Sequence, residues 1–495
     1  MRVKSPRAKT REPGSFRQHS SGKLMGYAEK RSAGAGAYYR ARYKIAPGRY
    51  GTLESRFRTK REAKQAADAE EIRLQSRPQA VQADVGLTFG AFANRWYAGL
   101  DLAPSTMVNC RRHLEEHLLP VFDDVLLADL LAADIDAWDK RERAAGYKPS
   151  SVKTWRGTLH AVLAAAVDAQ LIPANPATKR RGTGRRAGRS AERGPERVIT
   201  SPLGALLIAE RAALLAGRDD EFVAVTLMYW TGMRWAEVVG LETGYARLRS
   251  IRIEWQLYEL NPGGLVRCPP KDDSYRDIDL PGWLSALVSD HITRTAPRPC
   301  PCHDLTYVFR GRYGGAHWRR SGFGDWVFEP AASGWFPAKA PQPRRPVPVA
   351  ASSWPGQPVR GRNSQRRAQT CWLPIAAGLT PHGLRHSHKS LMAELRTPEV
   401  LSHNRLGHEL GGVAGRYSHI TRPMRDELMR QLTDQWNSAL AARAAIRSHS
   451  PVAVLDTLLQ SAGRAASKRD DTKIVSRNSP SEGVIPLRAR GAKGA

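Results

Sequence analysis

The first clear pattern in the chain is an alternation. In AYYRARYKI, Tyr39, Ala41, Tyr43 and Ile45 alternate with Arg40, Arg42 and Lys44. Period two predicts a strand with one apolar and one cationic face. After a Pro-Gly turn, LESRFRTKREAKQAADAEEIRL predicts a second short strand and then a helix, opened by a capping box between Thr59 and Glu62. From Asp84 to about Thr178 the apolar spacing changes to three and four. TFGAFANRWYAGL, APSTMVNCRRHLEEHLLPVF, LLAADIDAWDKRERAA and KPSSVKTWRGTLHAVLAAAVDAQLI then predict four helices, with Ser105 and Ser150 at N-cap positions.

Periodicity vanishes over residues 179–197, KRRGTGRRAGRSAERGPER, where eight basic residues face two acidic ones. That composition predicts a flexible cationic linker. Residues 198–445 mix helical patterns with a strand-rich patch at 250–280. Within them, residues 338–370 are rich in Pro, Arg and Ser and read as an irregular surface insertion. Residues 1–23 read as a disordered basic arm. Residues 446–495 hold one short apolar stretch, PVAVLDTLLQ, and then a polar basic tail. The expected fold class is multidomain and mainly α with α+β parts. It comprises a sheet-plus-helix module at 24–80, a four-helix domain at 84–178 and a mixed α/β domain at 198–445.

Charge narrows the partners. Across 495 residues, 77 Lys and Arg against 47 Asp and Glu give a net charge of +30, a field that attracts polyanions, nucleic acid foremost. A small cationic sheet can lie in a DNA major groove, and the linker, with Arg180, Arg181, Arg185 and Arg186, can track a phosphate backbone. The competing reading of the Arg40–Arg42–Lys44 face is a charged strand turned to water. Five scattered cysteines make no disulfide framework and fit a reducing compartment. The basic N-terminus lacks a signal peptide's apolar core, and no apolar run approaches the ~18 residues of a membrane span. A soluble protein of the cytoplasm is expected.

Four stretches carry candidate chemistry. YWTGMRWAEVVGL places Arg234 at a helix start with Glu237 one turn later. CPPKDDSYRDIDLP predicts a hairpin with Lys271 near its tip. GLTPHGLRHSHKSLM holds His382 and Arg385, and RLGHELGGVAGRYSHIT holds His408 and Tyr417. Two arginines can grip the oxygens of a phosphodiester as charge develops. A tyrosine can attack phosphorus and conserve the bond as a covalent ester. Histidines can bond phosphoryl oxygens and relay protons, and a lysine can protonate the leaving oxygen. Such a set needs no metal or nucleotide cofactor.

The set closely resembles the tyrosine recombinases, the integrase family of phages and mobile elements. TGMRWAEV resembles that family's first arginine motif, HGLRH its H-x-x-R motif, LGH its second histidine motif and RYSHIT its nucleophile motif. The spacings agree: Arg385 and His408 are 23 residues apart, and His408 and Tyr417 nine. The resemblance implies Tyr417 as nucleophile, Arg234 and Arg385 as phosphate clamp, His382 and His408 as phosphate ligands, and Lys271 as general acid on a β-hairpin. Glu237 would orient Arg234. It further implies an arm-type DNA-binding module at 24–80, a core-binding domain at 84–178, and a homotetramer exchanging strands between two double-stranded DNA sites through a Holliday junction. An excisionase or host DNA-bending factor would set direction. The stretch between Lys271 and His382 is longer than the family's usual length, chiefly through residues 338–370.

Two other classes compete: a type IB topoisomerase, which shares the chemistry but needs no specific address, and a DNA-binding regulator without catalysis. A metal site at His382 and His386 is disfavoured by the missing H-E-x-x-H glutamate and by Arg385. Cys300-Pro-Cys302-His303 reads as a structural turn, because no second Cys/His pair follows nearby to complete a zinc half-site. Finally, Met424, Leu428, Leu432, Trp436 and Leu440 form one apolar stripe. It suits either the chain's own core or, as the resemblance suggests, a neighbouring protomer.

Overall fold

The computed structural model describes residues 27–33, 36–46, 49–75, 86–178, 196–260, 264–311, 317–411 and 418–464. The chain divides into two compact units, residues 1–182 and 183–495.

In the first unit, β1 (Tyr27–Ala33), β2 (Gly36–Ala46) and β3 (Arg49–Phe57) form an antiparallel sheet in that order, backed by the helix Lys60–Gln75. The alternation in β2 does what its period predicts. Ala41 packs on Ala63 and Ala67 of the helix with Tyr39 and Tyr43 beside it, while Arg40, Arg42 and Lys44 fall on the alternate positions. The capping box is present, with Glu62 N donating to Thr59 Oγ1 at 3.2 Å and Thr59 N to Glu62 Oε2 at 3.3 Å. The sequence pattern missed β1, whose YAEKRSA carries no clean alternation.

Four helical segments follow: Phe89–Ala98, Pro104–His113 running on through one π turn to Phe122, Ala132–Ala144 and Pro149–Asp168. They enclose a core of Phe89, Leu118, Phe122, Ile135, Trp138, Leu159 and Val162. Ser105 and Ser150 are not the N-caps. The caps are Ala103 and Lys148, neither bonding through its side chain, and Pro104 and Pro149 take the first helical positions. Proline's preset φ and missing N–H start a helix without a side-chain acceptor, and that signal outranks the serine behind it.

The second unit is built around the helix Asp220–Thr231, buried at every position from Glu221 to Thr231. An apolar surface all round requires cover on all sides, and the helices Pro202–Ala216, Gly282–Thr295 and Pro381–Glu394 pack on it. It stops at Gly232, at φ 70°, where a Cβ would lie 2.7 Å from Leu406 and 2.9 Å from His388, so only glycine fits. β4 (Ala246–Arg247), β5 (Ser250–Ile253) and β8 (Arg276–Asp279) form one antiparallel sheet, and β6 (Gln256–Glu259) and β7 (Leu265–Cys268) a hairpin.

Three expectations change here. Residues 338–370 are anchored rather than merely superficial: Val347 and Val349 join Trp372 in a small core, and Trp354 Nε1 donates to Glu210 at 2.8 Å. The core also runs past residue 445, since Val452, Leu455 and Leu459 belong to it through a helix at 453–464. And the stripe on the helix Arg422–Ile446 lies in its own unit. Leu428, Leu432, Trp436 and Leu440 are buried, Trp436 stacks on Trp283 at 3.9 Å, and Arg443 meets Glu210 at 2.6 Å with both side chains fully buried. The neighbour-docking reading therefore fails for these positions. Apolar spacing cannot say whose core a helix joins; the buried charge on Arg443 finds its only described counter-ion in cis. Among the described residues, no helix is long and apolar enough to cross a membrane.

Deleting residues 424–495 should consequently abolish cooperative folding of the second unit, seen as loss of its thermal transition by circular dichroism. Arg443→Ala alone, leaving a buried Glu210 unpaired, should cost about 3–5 kcal/mol in urea unfolding.

Candidate active site

Arg234 lies at the N-cap of a short helix, Trp235–Val239, in extended conformation just beyond the left-handed Gly232. Its backbone N–H donates to Glu237 Oε2 and its Nη1 to Glu237 Oε1, both at 2.8 Å, and Nη1 also reaches Ser274 Oγ at 3.0 Å. Only one guanidinium nitrogen is thus committed among the described residues, and 16% of the side chain stays exposed. Glu237 is buried and carries a second arginine. Arg276 donates from Nη2 to Oε2 at 2.8 Å and from Nη1 to Oε1 at 3.1 Å. Burial alone would push the Glu237 carboxyl up, but Arg276 and Arg234 outweigh it and hold it below its usual range.

Arg385 comes from the helix Pro381–Glu394, which starts as a capped helix should, with Thr380 Oγ1 accepting from Gly383 N at 3.1 Å and proline at the first position. Its guanidinium donates from Nη1 to the Gly232 carbonyl at 2.7 Å, and from Nη2 to the Leu406 carbonyl and to His408 Nε2, the latter at 2.9 Å. Among the described residues, no carboxylate bonds it. Burial, with Arg234 as the leading like charge, lowers its pKa to about 9. Because an arginine can only donate, His408 Nε2 accepts, so the His408 proton sits on Nδ1.

His382, in the first turn of the same helix, and His408, just past the C-cap Gly407 of the helix Glu399–Leu406, are both lowered to about 4. Burial comes first in each case, followed by neighbouring basic groups: His386 and Arg385 for His382, Arg385 and Arg234 for His408. Both rings are therefore neutral near pH 7. Arg234, Arg385, His382 and His408, from three separate segments, surround one cationic locus backed by Glu237. A phosphodiester carries the charge and the acceptors that such a locus lacks.

The other expected residues fare differently. The hairpin expected across CPPKDDSYRDIDLP does not form, because β7 pairs with β6 and β8 with β5 in a separate sheet, so Lys271 caps no hairpin. It opens a 3-10 turn, Lys271–Asp273, between β7 and β8, where Asp272 and Asp273 adopt positive φ. Its side chain is 71% exposed, with Asp272 Oδ2 at 3.9 Å. Tyr417, Arg180, Arg181, Arg185 and Arg186 lie outside the described residues. In the first unit, Arg42 pairs with Glu29 at 3.4 Å and Arg40 faces Arg56 across the β2–β3 ladder. His386 bonds Arg197 at 3.0 Å, and fully buried His388 accepts from Arg405 Nε at 3.0 Å, so both serve structural contacts.

No family model matches the chain. It is 26% identical over 210 residues to the putative prophage phiRv2 integrase of Mycobacterium tuberculosis strains CDC 1551 and H37Rv, which covers 42% of this chain and 52% of each relative. The chain resembles prophage integrases. The likeness spans about half the length of those relatives. Among solved structures, an integrase of transposon Tn1549 in complex with circular intermediate DNA is similar with 15% identity and a TM-score of 0.47, over 70% of this chain and 99% of that one. A lambda integrase dimer bound to a core site is similar with 16% identity and a TM-score of 0.42, over 82% and 99%. Superpositions that loose establish nothing about this chain.

Sequence reasoning missed the supports of the cluster. Arg276 stood beside Lys271 without a signal of its own, yet it shares Glu237 with Arg234 and donates from Nε to the Arg405 carbonyl at 2.9 Å. Arg405 in turn donates to the carbonyls of Asp279 at 2.8 Å and Trp230 at 3.0 Å. His317 was missed as well; it lies beside Cys300, Cys302 and His303.

The two depressed histidines give the site a pH signature. Each binds its proton near pH 6.5 when unfolded but only near pH 4 when folded, so the unfolded state holds more protons between those values. Stability should fall as pH drops from about 6.5 toward 4. In the double variant His382→Asn, His408→Asn, the slope of unfolding free energy against pH should flatten by up to about two protons in that window, measured by urea unfolding at stepped pH.

Proposed function

We propose that the chain is a tyrosine-type site-specific DNA recombinase that cleaves and rejoins strands through a covalent 3′-phosphotyrosyl intermediate. The observation that supports this most is the joining of Arg234 and Arg385 with two neutral histidines at one locus, with no carboxylate hydrogen-bonded to Arg385 among the described residues. The uncommitted N–H groups of Arg234 and Arg385 take the non-bridging oxygens of the scissile phosphate, and His382 and His408 take the remaining acceptor positions. Tyr417 Oη attacks phosphorus. The bond from phosphorus to the 5′ oxygen breaks, the phenol proton passes to a neighbouring base, and Lys271 gives a proton to the departing oxygen. Rejoining reverses each transfer. Positive charge for the transition state comes from the arginines, so the step calls for no divalent cation.

The likeness to prophage integrases suggests that the DNA acted on is an attachment site of an integrating element in a bacterial cytoplasm. On this reading residues 84–178 and 198–445 close on a core site and the 24–80 module reads an arm site through Arg40, Arg42 and Lys44. Arg180, Arg181, Arg185 and Arg186 follow the backbone between them. The assembled form is a tetramer on two DNA sites, with direction set by an accessory protein.

Tyr417→Phe should bind its DNA site as the parent chain does yet give no covalent adduct with a nicked suicide substrate on a denaturing gel, with or without added magnesium; the parent should give the adduct in both conditions. Arg385→Ala should lower the cleavage rate by about 10²–10³-fold. Adduct formation by Tyr417→Phe would reject the assignment.

Replacing Arg40, Arg42 and Lys44 with alanine should weaken binding of arm-site DNA and reduce the slope of log affinity against log salt by up to about three. Cleavage of a short core duplex should persist. Unchanged arm binding would make the strand a solvated face.

A further inference from the structure

The CPCH stretch, left as a turn by its sequence, has acquired a partner. Cys300, Cys302, His303 and His317 each offer one ligand atom, and these atoms all lie within 4.8 Å of one another. Cys300 Sγ and Cys302 Sγ are 3.7 Å apart, and His303 Nδ1 lies 3.6 Å from the first and 3.4 Å from the second. A tetrahedral zinc ion with thiolates at about 2.3 Å and imidazoles at about 2.0–2.1 Å separates its ligand atoms by roughly 3.4–3.8 Å. The sulfurs are too far apart for a disulfide, whose bond is about 2.05 Å, and both cysteines are free.

Two further observations point to a ligand. His303 turns its other ring nitrogen, Nε2, to the Leu265 carbonyl at 3.2 Å. That bond fixes the proton on Nε2 and leaves the Nδ1 lone pair facing the sulfurs, the outer hydrogen bond that metal-bound histidines keep. His317 is only 7% exposed, yet among the described residues neither ring nitrogen has a hydrogen-bond partner. A buried imidazole with both nitrogens unpaired is costly, and a metal bond to one of them relieves that nitrogen's share of the cost.

We propose that Cys300, Cys302, His303 and His317 hold a structural zinc ion. Two thiolates and two neutral imidazoles in a tetrahedral set select zinc among common cations, and four protein ligands close the shell, so the ion organises the chain without meeting substrate. Binding forms two Zn–S and two Zn–N bonds and releases the two thiol protons to solvent. Cys302 is exposed and gives the ion a way in. The site ties the β6–β7 hairpin, through Leu265, to the segment entering Trp318. Trp318 stacks on Trp235, the residue after Arg234, with ring centres 6.2 Å apart. Cys300 also shares a small core with Val239, Leu257 and Tyr307. The ion thereby braces one side of the helix that begins at Arg234, and the proposal does not depend on what that arginine does.

The test uses the untagged full-length chain. Elemental analysis after purification from zinc-supplied cells should find about one zinc per chain, and Cys300→Ser, Cys302→Ser should hold less than about a tenth of that. A Cys110→Ser, Cys371→Ser control should keep its metal. Stripping with chelator should lower the melting temperature, and zinc alone should restore it. Titrating the stripped parent chain with Co²⁺ should bring up tetrahedral d–d bands and thiolate charge transfer, saturating at one equivalent. That measurement needs no variant and decides the matter even if the serine pair fails to fold. Absence of both zinc and the cobalt bands, or a disulfide between Cys300 and Cys302 in the purified chain, would overturn the proposal.

Discussion

The second unit depends on one buried carboxylate. Glu237 is enclosed in protein, and a bare carboxylate there would be far too costly to keep charged. It stays charged because Arg276 grips both oxygens and Arg234 holds one of them, with the Arg234 backbone N–H on the other. Three segments are fixed by that single group: the helix start after Gly232, the turn at Ser274 and strand β8. Arg276 extends the link to the Arg405 carbonyl, and Arg405 to the carbonyls of Asp279 and Trp230. Each arginine is oriented by carbonyl oxygens or by Glu237, so the positive charge of the region is positioned without being fully neutralised.

That incomplete neutralisation is the main electrostatic fact of the site. Arg385 is buried among carbonyls and a histidine, with Arg234 near enough to oppose its charge. His382 and His408 remain neutral beside it for the same reason. Positive charge held in place at low dielectric interacts strongly with an anion and need not reorganise when one arrives. The cost appears in the free chain as depressed proton affinities, which the surrounding core must outweigh.

A second buried pair does the opposite work. Arg443 and Glu210 neutralise one another fully out of water, and Ser450 and Trp354 add hydrogen bonds to the same carboxylate. This network sews the long C-terminal helix, the 338–370 segment and the helix Pro202–Ala216 into one body. Arg425, near the start of the long helix, also bonds Asp279 of β8 at 2.6 Å. The helix that follows the Tyr417 segment is therefore fastened to the unit that carries Arg234 and Arg385.

The sequence by itself determined the local features whose cause is local. Period-two alternation sorted the faces of β2, apolar spacing located the helices of residues 86–178, and the Thr59–Glu62 capping box marked one helix start. Ordered motifs brought Arg234, His382, Arg385 and His408 to notice, because side-chain type and spacing are all a motif contains. Only the tertiary structure decided what depends on contacts between distant residues. Arg276 is an unremarkable strand residue until Glu237 is buried against it. The stripe from Leu428 to Leu440 has the same spacing whether it meets its own core or another chain, and Trp283 and Glu210 settle that choice by lying opposite it. His317 reads as a lone histidine until the fold carries it to Cys300 and His303. Periodicity reports a residue's exposure relative to its neighbours in sequence, whereas partnership is a property of the closed chain.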